Sequence, residues 1–506
     1  MGRKMPIFYN ALLLTGVNLL LRLVSTSFQV FLSGRIGATG VGLLQLVLSV
    51  GGMTLTAGMA GVRTATMYLT AEELGKGRDK NVTWVLSSCL LYSFICSTAV
   101  GLGVYAFAPV IASSWIGDVR VTGAVRLVAA FLPVNCGVGV MVGYFTGANR
   151  IAALAAVEVA EQLCSMLITT LSLIAWAGDD IGRACQSVIL GSCGGSFLTL
   201  ACLVILRLRE KPRVGSKIPV RNRLLDIALP LAVADDLKVG INTVENLMVP
   251  KRLALYTGAA LAQFGMVSGM VFPLVMFPAA LLFGLADLLI PEMARCNAAE
   301  SRGRIRYLAR RTLRFAGIYG MLCGGILYLW AEGLCESLYG SSEASTFLRM
   351  YALLVPMLYC DLVIDAMNKG LGQQKVCVWY NIFTALMDVA GLYVLLPKWG
   401  MTGYFVSFFI SHAVNAGLSL RLLVKSARLH LRTRVGVTAV VCMGFSLYFS
   451  EKVEIIAGKC LVFAGVIGVS LWLLDVLRRE DLLWIRGLVM GRKRQQKNTK
   501  FIEKSV

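Results

Sequence analysis

Long apolar stretches alternate with short polar ones along most of the chain. Most of the apolar runs exceed the roughly 20 residues that a helix needs to cross a bilayer. About fourteen spans are read, at 7–33, 40–70, 84–109, 122–147, 151–177, 184–206, 224–249, 258–290, 312–332, 347–367, 376–396, 400–424, 434–450 and 456–477. This predicts an all-α, polytopic membrane protein whose core is the helix bundle itself. The first run is too long for a signal-peptide core and lacks a small-residue cleavage site.

The plan is used twice. A helix, a turn (SGRIGATGVG), a second helix and a charged exit (AEELGKGR) run from Arg22 to Arg78. A looser echo runs from Lys238 to Arg304. Arg35 precedes Glu73 by 38 positions, and Arg252 precedes Glu292 by 40. Many transporters carry such internal repeats, with the substrate path at the repeat interface. The expected organisation is a six-helix bundle at 1–206, a basic cytoplasmic linker at 207–223 and a second, pseudo-symmetric six-helix bundle at 224–424. Two extra helices at 425–477 and a basic tail at 478–506 follow. The linker has prolines, a Gly-Ser and no apolar periodicity, as a loop between bundles requires.

Composition agrees with the pattern. Hydrophobic residues make up 57% of the chain and charged residues 15%, against about 25% charged in soluble domains. The net charge of +21 does not call for nucleic acid, because of where it lies. Thirty-six of the 49 Lys and Arg fall in one alternating set of loops and ten in the other. Cytoplasmic loops collect Lys and Arg, so both termini are expected inside. The 14 cysteines and two histidines form no CxxC pair or ligand cluster. A zinc site or disulfide framework is therefore not expected, and the cysteines read as small packing residues.

An ionisable residue within a span is costly and is a functional candidate by default. Asn18, Arg22, Ser25 and Gln29 of the first span fall within about 60° of one another on a helix. Asp235, Lys238, Asn242 and Glu245 of the seventh fall within about 80°. These two cation-bearing stripes occupy corresponding helices of the two halves. They bind a ligand, or they glue the bundle, with Lys238 pairing Asp235 and Arg22 pairing an acid on another helix. Arg63 lines a cavity or snorkels to headgroups. Glu158, Glu161, Asp361, Asp365 and Asp388 could each hold a coupling proton or sodium ion, or could simply hydrogen-bond between helices. Asp287 is placed at the inner interface. Pro273 and Pro278 should bend the eighth span. No phosphate-binding loop, nucleophile elbow or other catalytic motif is present, so no enzyme activity and no cofactor are expected.

The segment RLVSTSFQVFLSGRIGATGVGLLQLVLSVGGMTLTAGMAGVRTATMYLTAEELGKG resembles the opening of the stage V sporulation protein B family. GMVFPLVMFPAALLFGLADLLIPEMARC and ENLMVPKRL are similar to its eighth helix and seventh-helix exit. That family lies in the polysaccharide-exporter branch of the multidrug/oligosaccharidyl-lipid/polysaccharide (MOP) superfamily, beside the lipid II flippases. The resemblance implies flipping of an undecaprenyl-diphosphate-linked glycan in the bacterial cytoplasmic membrane for cortex or envelope synthesis. Membrane lipid and envelope-synthesis proteins would be its partners. Arg22 is similar in placement to a cavity arginine of the family. Val62-Arg63-Thr64 departs from the family's proline-containing segment. On this reading Arg22, Lys238 and Arg63 hold the diphosphate, and Asn18, Ser25, Gln29 and Asn242 meet the sugar. Guanidinium forms paired, charge-assisted bonds to phosphate. Asp235, Glu245, Glu158 and Asp388 are the ion-coupling candidates, which equally suit a cation-coupled drug exporter. A non-transporting scaffold, with both stripes as glue, is the third reading.

Overall fold

The computed structural model describes residues 5–76, 78, 81–178, 180–209, 221–429, 433–451 and 456–473. Most of the linker and all of the basic tail lie outside the described residues, and so does the side chain of Asn18.

Helices account for nearly all of the described chain. The first half is α1 (Met5–Met59), α2 (Val62–Gly75), α3 (Val82–Val110), α4 (Thr122–Ala130), α5 (Leu132–Gly147), α6 (Ile151–Ser172) and α7 (Ile181–Leu208). The second half begins with α8 (Arg221–Leu253), α9 (Ala260–Gly265), α10 (Phe272–Met276), α11 (Ala280–Ala298) and α12 (Arg302–Leu329). It continues with α13 (Ala331–Tyr339), α14 (Ser342–Ala352), α15 (Val355–Gly370), α16 (Gln374–Ala427), α17 (Thr433–Glu451) and α18 (Ile456–Leu473).

Among the described residues six helices are long and apolar enough to cross a membrane, or nine if each bent pair is one span. Two of the six, α1 and α16, are each broken at a glycine. Gly37 has φ 69° and ψ 172°, and Gly400 has φ 56° and ψ −136°. A side chain at either backbone conformation is strained, so one residue suffices to turn the chain between two lengths. The bends are placed by proline, which lacks the donor a continuous helix needs. α4 and α5 bend by 44° before Pro133, and α14 and α15 by 53° before Pro356. The 63° bend between Ala260–Met276 and Ala280–Ala298 contains Pro278. Pro273 resumes the helix there after a π turn at Met266–Val271. Pro278 thus acts at the bend that the sequence predicts, whereas Pro273 lies within a continuous helical stretch.

Lipid removes most of the hydrophobic drive between helices, so close packing and small residues hold a membrane bundle. A continuous buried core joins α1, α3, α4 and α7 to the second half through Leu43, Val47, Val249, Phe264 and Val267. α17 and α18 pack on each other and on α12, through Met321, Met443, Leu447, Phe463 and Ile467. The cysteines are free thiols.

Candidate functional site

The α1 stripe faces the second half. Arg22 and Ser25 line a cavity of about 380 Å³ together with Leu21, Ala280, Phe283, Gly284 and Asp287 of α1 and α11. The half-buried Arg22 guanidinium lies 4.6 Å from the centroid of the Phe283 ring. Among the described residues it makes no ion pair. Two turns further along, the Gln29 side-chain amide donates to the Gly269 carbonyl at 3.2 Å. Asp287, expected at the inner interface, lines the Arg22 cavity. Its spacing of four from Phe283 puts both on one face of α11.

The α8 stripe is divided. Asp235, Lys238 and Asn242 are exposed and do not line the Arg22 cavity. Lys238 and Asp235 form no ion pair among the described residues, so the glue expected between them is absent there. Glu245 is half-buried and turned towards α16, within electrostatic reach of Asp388 and Tyr404. Asp388 is buried, and the Ser407 hydroxyl donates to its carboxylate at 2.5 Å. Tyr351 of α14 completes this cluster. It is 1% exposed, packs against Tyr404, Phe405 and Phe408, and its hydroxyl has no hydrogen-bond partner among the described residues. Sequence reasoning found Glu245 and Asp388 but missed Tyr351, Tyr404 and Ser407. Tyr404, Ser407 and Ser411 recur at helical spacing on one face, which was the available signal.

A further group lies in the first half. Arg63 is exposed, and Glu158 of α6 is within its electrostatic reach and that of Glu161. Glu161 accepts a hydrogen bond from the Thr199 hydroxyl at 2.8 Å. Asp361 accepts one from the Asn415 amide at 2.9 Å, and Asp365 pairs with Lys369 at 2.6 Å. Glu161 and Asp361 thus each join two helices, whereas Asp365 pairs within its own helix.

The site therefore has two chemistries. An unpaired guanidinium faces a cavity between the halves, and a carboxylate pair with hydroxyls sits inside the second half. The MatE family model matches residues 15–136. Stage V sporulation protein B of Bacillus subtilis (strain 168) is 21% identical over 488 residues, covering 92% of this chain and 94% of that protein. The solved structure of the lipid II flippase MurJ in an inward closed conformation superposes with a TM-score of 0.68. It is 12% identical and covers 92% of this chain and 100% of the other.

The chain has the fold of the MOP-superfamily transporters.

An inward-facing multidrug resistance MATE family transporter of that superfamily gives a TM-score of 0.67 at 15% identity, covering 82% of this chain and 98% of that one. Sporulation protein YkvU of Bacillus subtilis (strain 168) is 21% identical over 283 residues, 53% of this chain and 62% of that protein. The MOP fold and its apolar helices make this a multi-pass membrane protein, and the resemblance to stage V sporulation protein B extends over most of its length.

Proposed function

We propose that the protein is a flippase, not an enzyme, for a polyprenyl-diphosphate-linked glycan in the bacterial cytoplasmic membrane, with both termini cytoplasmic. The observation that carries this is Arg22, a half-buried guanidinium facing a cavity with no acid paired to it among the described residues. A buried cation without a partner is costly, and a diphosphate supplies the missing acceptors through short, paired bonds. Lys238 and Arg63 are exposed and reach the headgroup elsewhere along its path. Ser25, Gln29 and Asn242, with Asn18, meet sugar hydroxyls. The bundles at 1–206 and 224–424 rock about their shared face, and Glu245 with Asp388 binds the coupling sodium ion or proton. Relatives named as a lipid II flippase and as sporulation proteins support a peptidoglycan-type substrate.

The test is headgroup accessibility of lipid II in vesicles with wild-type, Arg22→Lys or Arg22→Ala protein. Movement that the alanine abolishes and the lysine partly restores supports the reading. Undiminished movement with Arg22→Ala at equal abundance ends it. The Glu245–Asp388 cluster also suits a cation-coupled drug exporter, and a multidrug transporter shares the fold. Resistance to lipophilic cations that is lost in Asp388→Asn would favour that second reading.

A further inference from the structure

Four polar residues of α16, Ser407, Ser411, Asn415 and Ser419, recur at every fourth position, and all are buried. That spacing puts them on one face of the helix. The rise from the first to the last is about 18 Å, more than half of a hydrocarbon core roughly 30 Å thick. α15 packs beside this face with a series of its own, Asp361, Asp365 and Asn368. The contacts run in sequence along the two helices. The Ser407 hydroxyl donates to Asp388, and Ser411 is close enough to Asp388 to act on its charge. The Asn415 amide donates to Asp361, which is within electrostatic reach of Asp365, which pairs with Lys369. The Asn368 amide donates to the Ser419 carbonyl at 2.9 Å. A polar seam thus links the Asp388 cluster to the end of α15 that carries Lys369, the cytoplasmic end in the proposed topology.

Holding two helices together accounts for the amide nitrogens of this seam but not for its oxygens. Each amide is fixed in orientation, because its nitrogen donates to an oxygen and its own oxygen must then point elsewhere. The Oδ1 atoms of Asn415, Asn368 and Asp361 are buried and have no hydrogen-bond partner among the described residues. Asn368 itself is fully buried. A buried acceptor left unmatched is costly. The Ser411 hydroxyl spends its proton on the Phe408 carbonyl at 3.0 Å, so its oxygen also presents only lone pairs. A seam lined by free acceptors suits a cation, bare or hydrated, and offers nothing to an anion.

We propose that this seam is the cytoplasmic access path of the coupling cation, a sodium ion or a proton, to Asp388. The proposal rests on Glu245 with Asp388 as the site of that cation. The Arg22 cavity is lined from α1 and α11 and by none of the seam residues. Cation and lipid-linked substrate therefore reach the protein by separate openings.

Silver ion, a thiol-reactive monovalent cation, is the probe, applied to the cytoplasmic face of the full-length protein in inside-out vesicles. Ser411→Cys and Ser419→Cys each put a thiol in the seam with little change in volume. Peptide mass spectrometry reads how far silver protects each thiol from later alkylation, with native Cys89, buried in the first half, as the internal reference. Both introduced thiols should react at least about ten-fold faster than Cys89, which silver reaches only through local opening. Rates equal to that of Cys89 would overturn the path. An anionic methanethiosulfonate should not reach the seam, and labelling by it as fast as by silver would overturn the selectivity for cations. Slowing of silver by excess sodium assigns the path to sodium, and no slowing assigns it to protons. Asn415→Leu should then raise the half-saturating cation concentration for lipid II movement at the cytoplasmic face about ten-fold, the scale of one lost hydrogen bond to a charged group. Asn415→Ser, which keeps an acceptor, should raise it much less. An equal rise at both faces would mark Asn415 as structural and overturn its place in the path. Asp388→Asn separates the underlying reading: a gradient response that survives it removes the cation site, while silver access to the seam is measured independently.

Discussion

Gly42 of α1 and Gly265 of α9 meet backbone to backbone: a Cβ on Gly265 would lie 2.6 Å from the Gly42 nitrogen and 2.9 Å from its Cα. The two glycines come from opposite sides of the central linker. Ala38 and Gly42 on one helix, and Gly265 and Gly269 on the other, space small residues four apart, which lets membrane helices approach closely. The side chain of Val41 occupies the place a Cβ on Gly269 would take. The halves therefore pack backbone to backbone here, and hydrogen bonds from Gln29 to the Gly269 carbonyl and from Lys251 to the Ser114 carbonyl also join them.

Gly265→Ala should break that contact. Neither backbone can yield without moving a whole helix, so the added methyl favours states in which this end is open. Spin labels at Leu255 and Trp115, both exposed, should show a longer mean distance, with transport at least about ten-fold slower, a change of roughly 1.4 kcal/mol. An unchanged distance distribution would refute it.

The other end of the same helical path is closed by charge. Arg223 of α8 pairs with Glu72 and, at 3.5 Å, with buried Glu73, which also accepts a hydrogen bond from Asn81 at 3.1 Å. The hydrogen bond from Lys76, helped by Arg223, holds the Glu72 carboxyl below its usual range. A depressed carboxylate contributes above its free pKa of about 4.3 and loses its contribution as pH falls through the lowered value. Spin-label distances across this end should stay constant from about pH 8 to pH 5 and lengthen only below about pH 4. Opening between pH 7 and 5 would show that another group controls it.

Much of this molecule was legible in sequence because bilayer thickness sets helix length. Apolar runs gave the order of the spans, and Pro278 gave the bend in the eighth. The Arg22–Ser25–Gln29 stripe pointed correctly to the face between halves, because helical periodicity alone fixes which residues share a side. Periodicity cannot say which neighbour that side meets. Lys238 was therefore joined to Arg22 by analogy of position, whereas the structure leaves it outside the Arg22 cavity. Tyr351, on the span that carries Asp361 and Asp365, comes within electrostatic reach of Glu245 and Asp388 through tertiary packing, for which a single sequence has no signal.

Asp388 and Ser407 give a sharper test of coupling. Asp388→Asn keeps the volume and removes the charge, so transport should lose its response to a sodium or proton gradient while abundance stays normal. Ser407→Ala removes one donor, worth about 1 kcal/mol, and should weaken the response without abolishing it. Rates measured with and without each imposed gradient decide the point. Full gradient dependence in Asp388→Asn would move the coupling site elsewhere.

The packing of α18 on α12 offers a test that leaves the cavity untouched. The tip of the Phe463 ring is wedged against Gly325: a Cβ there would be 2.6 Å from one Cε and closer still to Cζ and the other Cε. Phe463 is fully buried, in a cluster with Met321, Met443 and Ile467. Gly325→Val should drive the ring out and detach α18, since overpacking costs about 1–3 kcal/mol and a membrane helix has little else to hold it. Phe463→Ala alone should loosen the same contact by leaving a void. The double variant should recover part of the loss, because the valine fills space that the phenylalanine vacates. Thiol cross-linking between α12 and α18 measures the contact directly, and coupling of at least about 0.5 kcal/mol between the two changes is expected for residues that touch. Strictly additive effects would show that Gly325 and Phe463 do not hold the two helices together.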